Sequence, residues 1–301
     1  MPDAPIRYRS ADEDSARWRG FPFREGDIVI STRSKSGTTW MQMICALLVF
    51  QTPDLPAPLA ELSPWLDHEI EPRDTVVDRL QAQRHRRFVK THTPLDGLPL
   101  DPRATFVVVA RHPLDLAVSL YHQGGNIDRA RLRELTGAPE PAGPPASRPG
   151  PREWLLAWVD RETTPTAQMD SLPGVLHHLA DAWSRRHEQN VVLVHYDDLR
   201  EDLGGQMYRL AAALGLDVPT ERWPELVGAA SFASMRDRAE VLAPDTLGVL
   251  RDRRAFFRGG RSGAGRELLS PQEWDRYVAR AAALAPPDLL AWLHRDGTPL
   301  P

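Results

Sequence analysis

Four short runs of apolar, mostly β-branched residues alternate along the chain with longer segments of mixed polarity. The runs lie at 27–31, 87–91, 105–110 and 191–196. Runs of this length, bounded by polar residues, predict buried strands. The run at 105–110 is apolar at nearly every position, which is typical of a central parallel strand that is buried on both faces.

The segments between these runs predict helices. One helix is predicted from Thr38 to Phe50, and another begins at His112-Pro113, because proline is favourable in a first turn. Further helices are predicted at about 173–189, 204–214, 221–229, 271–284 and 287–294. Strands that alternate with helices predict an α/β fold with a central, mostly parallel sheet flanked by helices. Its first unit is a P-loop-like strand–loop–helix.

We expect one domain over residues 1–301, with residues 1–24 as an irregular lead-in. The stretch 137–151 is rich in proline and glycine. It predicts a loop or lid within the domain and not a linker between domains, because predicted helices and a strand of the same alternating pattern follow it.

Composition narrows the class of protein. The chain has 301 residues, a net charge of −4 and a pI near 6.2, which argues against non-specific nucleic-acid binding. No apolar run has transmembrane length and the first residues lack the apolar core of a signal peptide, so we expect a soluble, cytoplasmic protein without a membrane partner. Cys45, the single cysteine, lies in an apolar run and predicts a buried structural thiol.

Lysine is rare in this sequence. Of 37 basic residues only Lys35 and Lys90 are lysines. Lysine is a compact charge on a flexible stem, whereas arginine is a planar fork. In a chain that otherwise uses arginine, we interpret the two lysines as residues that are needed as lysines.

The loop Lys35-Ser36-Gly37-Thr38-Thr39-Trp40 lies between the first predicted strand and a helix. Free N–H groups and the helix dipole favour an anion at such a place, and Lys35 adds a positive charge. Trp40 offers a flat face for a base. The Walker pattern fails, because the lysine precedes the glycine. A serine or threonine helix cap beside an exposed lysine is the alternative interpretation.

These six residues resemble the 5′-phosphosulfate loop of cytosolic-type sulfotransferases, which reads Y-P-K-S-G-T-T-W. Members of this family, bacterial ones included, use 3′-phosphoadenosine-5′-phosphosulfate (PAPS) as sulfuryl donor. Arg33-Ser34 replaces Tyr-Pro, and Arg33 is a candidate for an added cation near the anion. The resemblance implies that Lys35 to Trp40 bind the donor.

His92 is the predicted base. It follows the second predicted strand at its carboxyl end, where α/β sites lie, and Lys90 precedes it on the same strand face. A histidine is neutral near pH 7 and can accept a proton from a hydroxyl, although a structural histidine is the alternative. Lys90-Thr91-His92-Thr93-Pro94 resembles the family's K-T-H-L-P. The resemblance implies that His92 is the catalytic base and that Lys90 helps Lys35 to hold the transferring group.

Residues 107–119 resemble the family's V-A-R-N-P-x-D-x-A-V-S, with His112 in place of asparagine. The resemblance implies that Arg111 and Ser119 bind the 3′-phosphate. An ion pair between Arg111 and Asp115 is the alternative interpretation for the arginine.

Two further segments concern the adenine. Residues 230–235 resemble T-S-F-x-x-M with Ala230 at the threonine, which implies that Phe232 packs on the adenine opposite Trp40 and that Ser231 makes a polar contact. Tyr196 matches the family's tyrosine near the adenine.

A glycine-rich segment at 257–266 resembles R-K-G-x-x-G-D-W-K, although a bland flexible loop is the alternative. Phe257, Arg258, Gly259 and Gly260 are the candidate donor-binding residues here. Gly259 replaces the family's lysine, Ala264-Gly265 replaces Asp-Trp, and Arg261 is a candidate for the lost cation.

The hypothesis is a sulfotransferase in which an acceptor hydroxyl or amine attacks sulfur in line, His92 takes its proton, and adenosine 3′,5′-bisphosphate (PAP) leaves. No metal site is expected, because no cluster of ligands has suitable spacing. A catalytically silent protein that binds PAPS or PAP is one alternative, and a P-loop kinase is another.

The acceptor is not readable from the sequence. Phe21, Phe23, Trp65, Tyr121 and the 137–151 loop are candidate pocket walls, with core positions as the alternative. They favour a small phenolic or apolar alcohol over a sugar polymer. The family's dimer motif is not kept at 266–271, and the oligomeric state stays open.

Overall fold

Four parallel β-strands form the centre of the protein in its computed structural model, which describes residues 4–137, 139–140, 147–245 and 247–295. The strands are β1 (Ile28–Ser31), β2 (Phe88–Thr91), β3 (Thr105–Ala110) and β4 (Val191–His195). Their order across the sheet is β2-β1-β3-β4, and every neighbouring pair is parallel. All four predicted strands are confirmed to within one residue at each end.

Helices fill the segments between the strands. In the described residues they are α1 (Thr38–Phe50), α2 (Leu59–Leu62), α3 (Arg73–Ala82), α4 (Pro113–Asn126), α5 (Arg129–Thr136), α6 (Pro151–Val159), α7 (Leu172–Ser184), α8 (Tyr196–Glu201), α9 (Leu203–Leu214), α10 (Trp223–Ala230), α11 (Phe232–Asp237), α12 (Ala239–Leu242), α13 (Arg253–Phe256), α14 (Pro271–Ala282) and α15 (Pro287–His294). The seven predicted helices are confirmed as α1, α4, α7, α9, α10, α14 and α15, with α7 ending five residues early. None of the helices in the described ranges is long and apolar enough to cross a bilayer.

Both faces of the sheet are buried, as the apolar runs predict. On β3, Phe106 and Val108 belong to the core beneath α4, α6, α7, α14 and α15, whereas Val107 and Val109 belong to the core beneath α1, α9 and α10. Alternate residues of a strand point to opposite faces, so a strand between two helical layers must be apolar throughout. The described residues form a single α/β domain around this sheet.

The segment before β1 is irregular, as predicted, but it is packed. A 3-10 helix spans Ser15–Trp18, and Tyr8 and Trp18 are at most 1% exposed. An isolated antiparallel bridge joins Glu13 to His68. The described part of this N-terminal segment therefore packs against the rest of the domain. Residues 1–3 lie outside the described residues.

The predicted loop at 137–151 is described only in part. Residue 138 and residues 141–146 lie outside the described residues, so the loop or lid stays a prediction there. Its last residue, Pro151, begins α6, whose Leu155, Trp158 and Val159 are buried.

The carboxyl ends of β1, β2 and β3 meet at one edge of the sheet because the strands are parallel. The loop 32–37, His92 and Arg111 follow these three strands directly. Ligands of open α/β sheets bind at this edge. The fold therefore brings the three main sequence motifs to one place.

Candidate functional site

A cavity of about 1130 Å³ lies at this edge. It brings together most of the residues predicted to bind a donor or to act as a base. Those that line it are Lys35, Gly37, Thr38, Thr39, Trp40, Trp65, Lys90, His92, Arg111, Ser119, Tyr196, Phe232, Phe257, Arg258, Gly259 and Gly260. Five other candidates do not line it, namely Phe21, Phe23, Ser36, Tyr121 and Ser231.

The turn after β1 presents backbone amides. Lys35 (φ 66°) and Gly37 (φ 108°) both have left-handed conformations. A Cβ on Gly37 would lie 3.0 Å from the Tyr196 ring, so this position requires glycine for both its φ and this close approach. The helix α1 begins at Thr38 with no side-chain cap, which leaves its first N–H groups open to a ligand. The alternative interpretation as a serine or threonine cap is wrong.

Five cations line the cavity without an ion pair to a described carboxylate, namely Lys35, Lys90, Arg111, Arg161 and Arg258. The ammonium group of Lys35 lies 3.7 Å from the centroid of the Phe256 ring and 3.4 Å from Gln123 Oε1. Burial, aided by the cations of Arg111 and Lys90, lowers the pKa of Lys35 to about 7. A cluster of like charges without counter-ions is stabilised when an anion binds.

Arg111 joins two of the motifs. Its Nη1 donates to the Lys35 carbonyl oxygen over 3.0 Å, and its guanidinium lies 4.3 Å from the centroid of the Tyr196 ring. The alternative of an ion pair with Asp115 is wrong. Asp115 instead accepts hydrogen bonds of 2.8 Å from the backbone N–H groups of Gly263 and Gly265.

The glycine-rich segment after α13 is ordered by these contacts and is not a bland flexible loop. Gly260 has a φ of 57°, and a Cβ there would lie 2.8 Å from the Phe232 ring. The segment thereby brings Arg258 into the cavity lining. Arg261 also lines the cavity, but its guanidinium forms a bidentate pair with Glu267 at 2.8 and 2.9 Å. Arg261 is therefore not the free cation that would replace the lysine lost at Gly259.

His92 is held in its neutral form. Its Nδ1 lies 2.5 Å from the Thr32 carbonyl oxygen. A carbonyl oxygen only accepts, so Nδ1 carries the proton and Nε2 is left with its lone pair. Burial, aided by the Lys90 and Arg33 cations, holds the pKa of His92 well below its usual 6.5. The geometry thus supplies the protonation state that general-base chemistry needs.

Trp65 contacts both His92 and Lys90. Its ring centroid lies 3.7 Å from Lys90 Nζ and 4.7 Å from the His92 ring centroid, and it stacks on His68 at 4.2 Å. Burial lowers the pKa of Lys90 to about 8, while Glu13 and Asp67, when ionised, oppose the shift. Trp65 therefore lines the cavity, and its role as a wall of the acceptor pocket stays a prediction.

Other predicted walls lie elsewhere. Phe21 and Phe23 pack against Trp18 in the core, with ring centroids 5.2 and 6.1 Å from it. The Tyr121 hydroxyl donates to the Pro149 carbonyl oxygen over 2.9 Å. We therefore correct the expectation for these three aromatic residues.

The two serines that do not line the cavity have structural positions. Ser36 is 2% exposed. Ser231 caps α11 and accepts from the Ser234 N–H over 3.2 Å. Trp40 lines the cavity, and its indole Nε1 donates to the Ala230 carbonyl oxygen over 2.7 Å, which fixes the ring.

Arg33 is not an added cation for the anion. It is 2% exposed, and its Nη2 donates to Asp170 Oδ1 over 2.6 Å while Nη1 donates to the His92 carbonyl oxygen. Its charge is already neutralised by Asp170, so it supports the backbone at His92 and is not free for a phosphate.

Several cavity residues carry no local sequence signal. The polar ones include Ser10, Asp12, Glu13, His68 and Glu71, and the apolar ones include Ile127, Leu132, Leu247, Val249 and Leu250. They come from four separate segments that only the fold brings together. In the described residues, no cluster of histidine, cysteine, aspartate or glutamate could hold a metal ion.

Comparisons with known proteins identify the family of this chain. The family model described as "Sulfotransferase domain" matches residues 25–279. The glycolipid sulfotransferase of Mycobacterium tuberculosis (strain ATCC 25177 / H37Ra) is 43% identical over 306 residues, which cover 96% of this chain and 94% of that protein. Sulfotransferase 1A1 of Canis lupus familiaris is 26% identical over 273 residues, covering 86% and 83% of the two chains.

Two solved structures share the fold. Retinol dehydratase in complex with androsterone and inactive cofactor PAP matches with a TM-score of 0.67 at 20% identity, covering 89% of this chain and 83% of that one. Mouse sulfotransferase SULT7A1 complexed with PAP also has a TM-score of 0.67, at 19% identity, covering 93% and 92%.

Proposed function

The chain belongs to the sulfotransferase family, and from that premise we propose that His92 is its catalytic base and that its acceptor is a sugar hydroxyl of a glycolipid. PAPS supplies the sulfuryl group that the protein transfers, and PAP is the product. The roles of individual residues and the identity of the acceptor go beyond this membership. The observation that carries the proposal is the neutral His92, whose Nε2 is left free in a cavity lined by unpaired cations.

The donor half fits a molecule with phosphate groups at both ends of a nucleoside. Lys35 and the open amides at the start of α1 would hold the phosphosulfate, and Lys90 would stabilise the charge that builds as the sulfuryl group moves. Arg111, Arg258 and Ser119 would hold the 3′-phosphate. Trp40, Tyr196, Phe232 and Phe257 line the same cavity and would enclose the adenine together with Gly259 and Gly260.

His92 acts on the acceptor. Its Nε2 takes the proton of the attacking hydroxyl, while the bond from Nδ1 to Thr32 keeps the ring oriented. The Arg33 guanidinium holds the His92 carbonyl oxygen and is fixed in turn by Asp170. These contacts keep the base in place before the acceptor arrives.

The acceptor half of the cavity has one polar and one apolar wall. The bridge between Glu13 and His68 joins two polar segments into one wall, which adjoins His92 through the stacked Trp65. The bridge between Ile127 and Leu250 joins two apolar segments into another wall. A sugar next to the base and a lipid chain along the apolar wall would match this division, and the mycobacterial relatives at 43% identity are named for glycolipid acceptors. This replaces the phenolic or apolar alcohol that the sequence favours.

The test is transfer of label from ³⁵S-PAPS to octyl β-glucoside, octanol and 2-naphthol in parallel. We expect the glucoside to be labelled with the highest kcat/KM. Label on naphthol or octanol alone would contradict the glycolipid proposal. Stabilisation by PAP without transfer to any of the three would favour the silent binder instead.

A further inference from the structure

Glu13 is a buried carboxyl that neither holds the donor nor takes the proton of the acceptor in the proposed reaction. It is 6% exposed and lines the cavity. Its Oε2 is buried and has no hydrogen-bond partner in the described part of the chain. The nearest cation in an ion-pair geometry, Arg33 Nη1, lies 4.0 Å away, which is beyond hydrogen-bond distance.

Arg33 does not need Glu13 as a partner. Its Nη2 bonds to Asp170 at 2.6 Å and its Nη1 bonds to the His92 carbonyl oxygen. Arg33 therefore pairs directly with Asp170, and the Glu13 carboxyl makes no hydrogen bond to Arg33. Buried polar groups in proteins are normally satisfied, so an unsatisfied one in a ligand cavity indicates a ligand group that completes it.

The backbone holds Glu13 firmly in this position. The Ser10 N–H donates to the Glu13 carbonyl oxygen over 2.9 Å, and the Glu13 N–H donates to Ser10 Oγ over 3.1 Å. The next residue, Asp14, donates from its N–H to the Asp67 carbonyl oxygen over 2.8 Å. These bonds fix Glu13 against the segment that carries Trp65, and thus against the wall that adjoins His92.

The charge state of Glu13 suits a hydroxyl partner. Burial raises the pKa of Glu13 to about 8, and the Arg33 cation only partly opposes this shift. At neutral pH the group is mostly a carboxylic acid, which both donates and accepts a hydrogen bond. A sugar hydroxyl also does both, whereas an alkyl chain does neither. A protonated carboxyl is not a base, so His92 keeps that role.

We propose that Glu13 binds the acceptor sugar by hydrogen bonding to a hydroxyl neighbouring the one that His92 deprotonates. This inference rests on the proposed glycolipid acceptor. It makes Glu13 a residue that selects acceptors with several hydroxyl groups. The ligand class is a hexose with a free vicinal hydroxyl.

The experiment compares the variants Glu13→Gln and Glu13→Ala on octyl β-glucoside and on octanol, which share the alkyl chain and differ in the sugar. Glutamine keeps a donor and an acceptor in the same shape and should stay within about threefold of the parent KM for the glucoside at pH 7. Alanine removes the bond and should raise that KM by roughly tenfold, with kcat and the KM for octanol changed less than about twofold.

Glu69→Gln is the matched control. Glu69 lies in the same paired segment, is exposed and does not line the cavity. Its variant should match the parent protein on both acceptors. PAP affinity, measured by calorimetry, should be unchanged in all three variants.

The outcomes separate the two proposals. If the parent protein sulfates octanol and neither sulfates nor binds the glucoside, the glycolipid assignment falls, and this inference falls with it. If the parent sulfates the glucoside but Glu13→Ala changes both acceptors equally or neither, only the role of Glu13 is overturned. A raised KM for the glucoside alone, restored by glutamine, supports both.

Discussion

The guanidinium of Arg111 donates a hydrogen bond to the carbonyl oxygen of Lys35 over 3.0 Å, across the ends of two neighbouring strands. Lys35 has a left-handed backbone, and Arg111 leaves β3 as its first residue outside the strand. The turn proposed to hold the phosphosulfate is therefore tied to a residue proposed to hold the 3′-phosphate. A substitution at one of these two proposed phosphate sites should therefore also affect binding at the other.

Arg111→Lys should weaken PAP binding by roughly ten- to a hundredfold, because lysine cannot make the planar, multiple contacts of a guanidinium. Isothermal titration with PAP measures this change. Arg222→Lys, an exposed arginine paired with Glu225 at 3.5 Å, is the control and should bind PAP as the parent does. Equal affinities for all three proteins would contradict the placement of Arg111.

PAP affinity should fall as the pH rises above 7. The free Lys35 has a pKa of about 7, and a bound phosphate favours its charged form, so binding takes up a proton. The fall should not exceed about tenfold per pH unit for one proton. Titrations between pH 7 and 9 measure it. Lys35→Arg stays charged throughout and should reduce this dependence, leaving the part due to Lys90, whose pKa is about 8. An unchanged slope would rule out Lys35 as a source.

His92→Gln should lower kcat by roughly 10²–10⁴-fold without loss of PAP binding, because the base is removed and the donor half is untouched. Since the pKa of His92 lies well below 6.5, the parent rate should not drop as the pH falls from about 7 to 6. His187→Gln, at an exposed histidine, is the control. Retained turnover in the His92 variant would overturn the assigned role.

Gly265→Ala should weaken PAP binding by about tenfold or more through a displaced loop. A Cβ at this position would lie 2.4 Å from Leu114 Cβ and 2.6 Å from the Leu114 carbonyl carbon, so the loop that carries Arg258 would have to move off α4. Gly204→Ala, whose Cβ would meet nothing closer than 3.9 Å, is the matched control. Affinity equal to that of the control would show that the loop position is irrelevant to the donor.

Glu13→Gln should raise the melting temperature, and the gain should grow with pH. The pKa of Glu13 is raised from 4.5 to about 8, so its contribution to stability is full below 4.5 and is lost as the pH rises through 8. Glutamine has no charge to bury. Calorimetry at pH 5 and pH 8 should give a gain of a few degrees at the higher pH only, since ~1 kcal/mol shifts the Tm of a large domain by roughly 2 °C. A gain independent of pH would contradict the buried-carboxyl explanation.

The residues proposed to bind the donor could be identified from the sequence because their motifs are local. The turn at 35–40 and the residues His92 and Arg111 follow apolar strands directly, so pattern and motif coincide. The sequence does not predict helix α6, because this helix begins at the last proline of a proline-rich run, where composition indicates a loop. Its buried face becomes visible only when α4 packs against it.

The acceptor half could not be predicted in the same way. Arg33 reads as a free cation until the fold brings Asp170, distant in the chain, to within 2.6 Å of it. Phe21 and Phe23 read as pocket walls until Trp18 covers them. The role proposed for Glu13 depends on its burial by segments that are remote in the chain. The local sequence around Glu13 does not predict this burial.

The proposed donor and acceptor halves lie in one continuous cavity of about 1130 Å³. The cavity leaves room for both reactants at once, as direct in-line transfer requires, so initial-rate lines for varied acceptor should intersect instead of running parallel. Because the cavity is continuous, an acceptor that binds first can extend into the space that the nucleotide needs. The reaction rate should therefore fall at high acceptor concentration and recover when the PAPS concentration is raised. The shape of the cavity thus favours binding of PAPS before the acceptor.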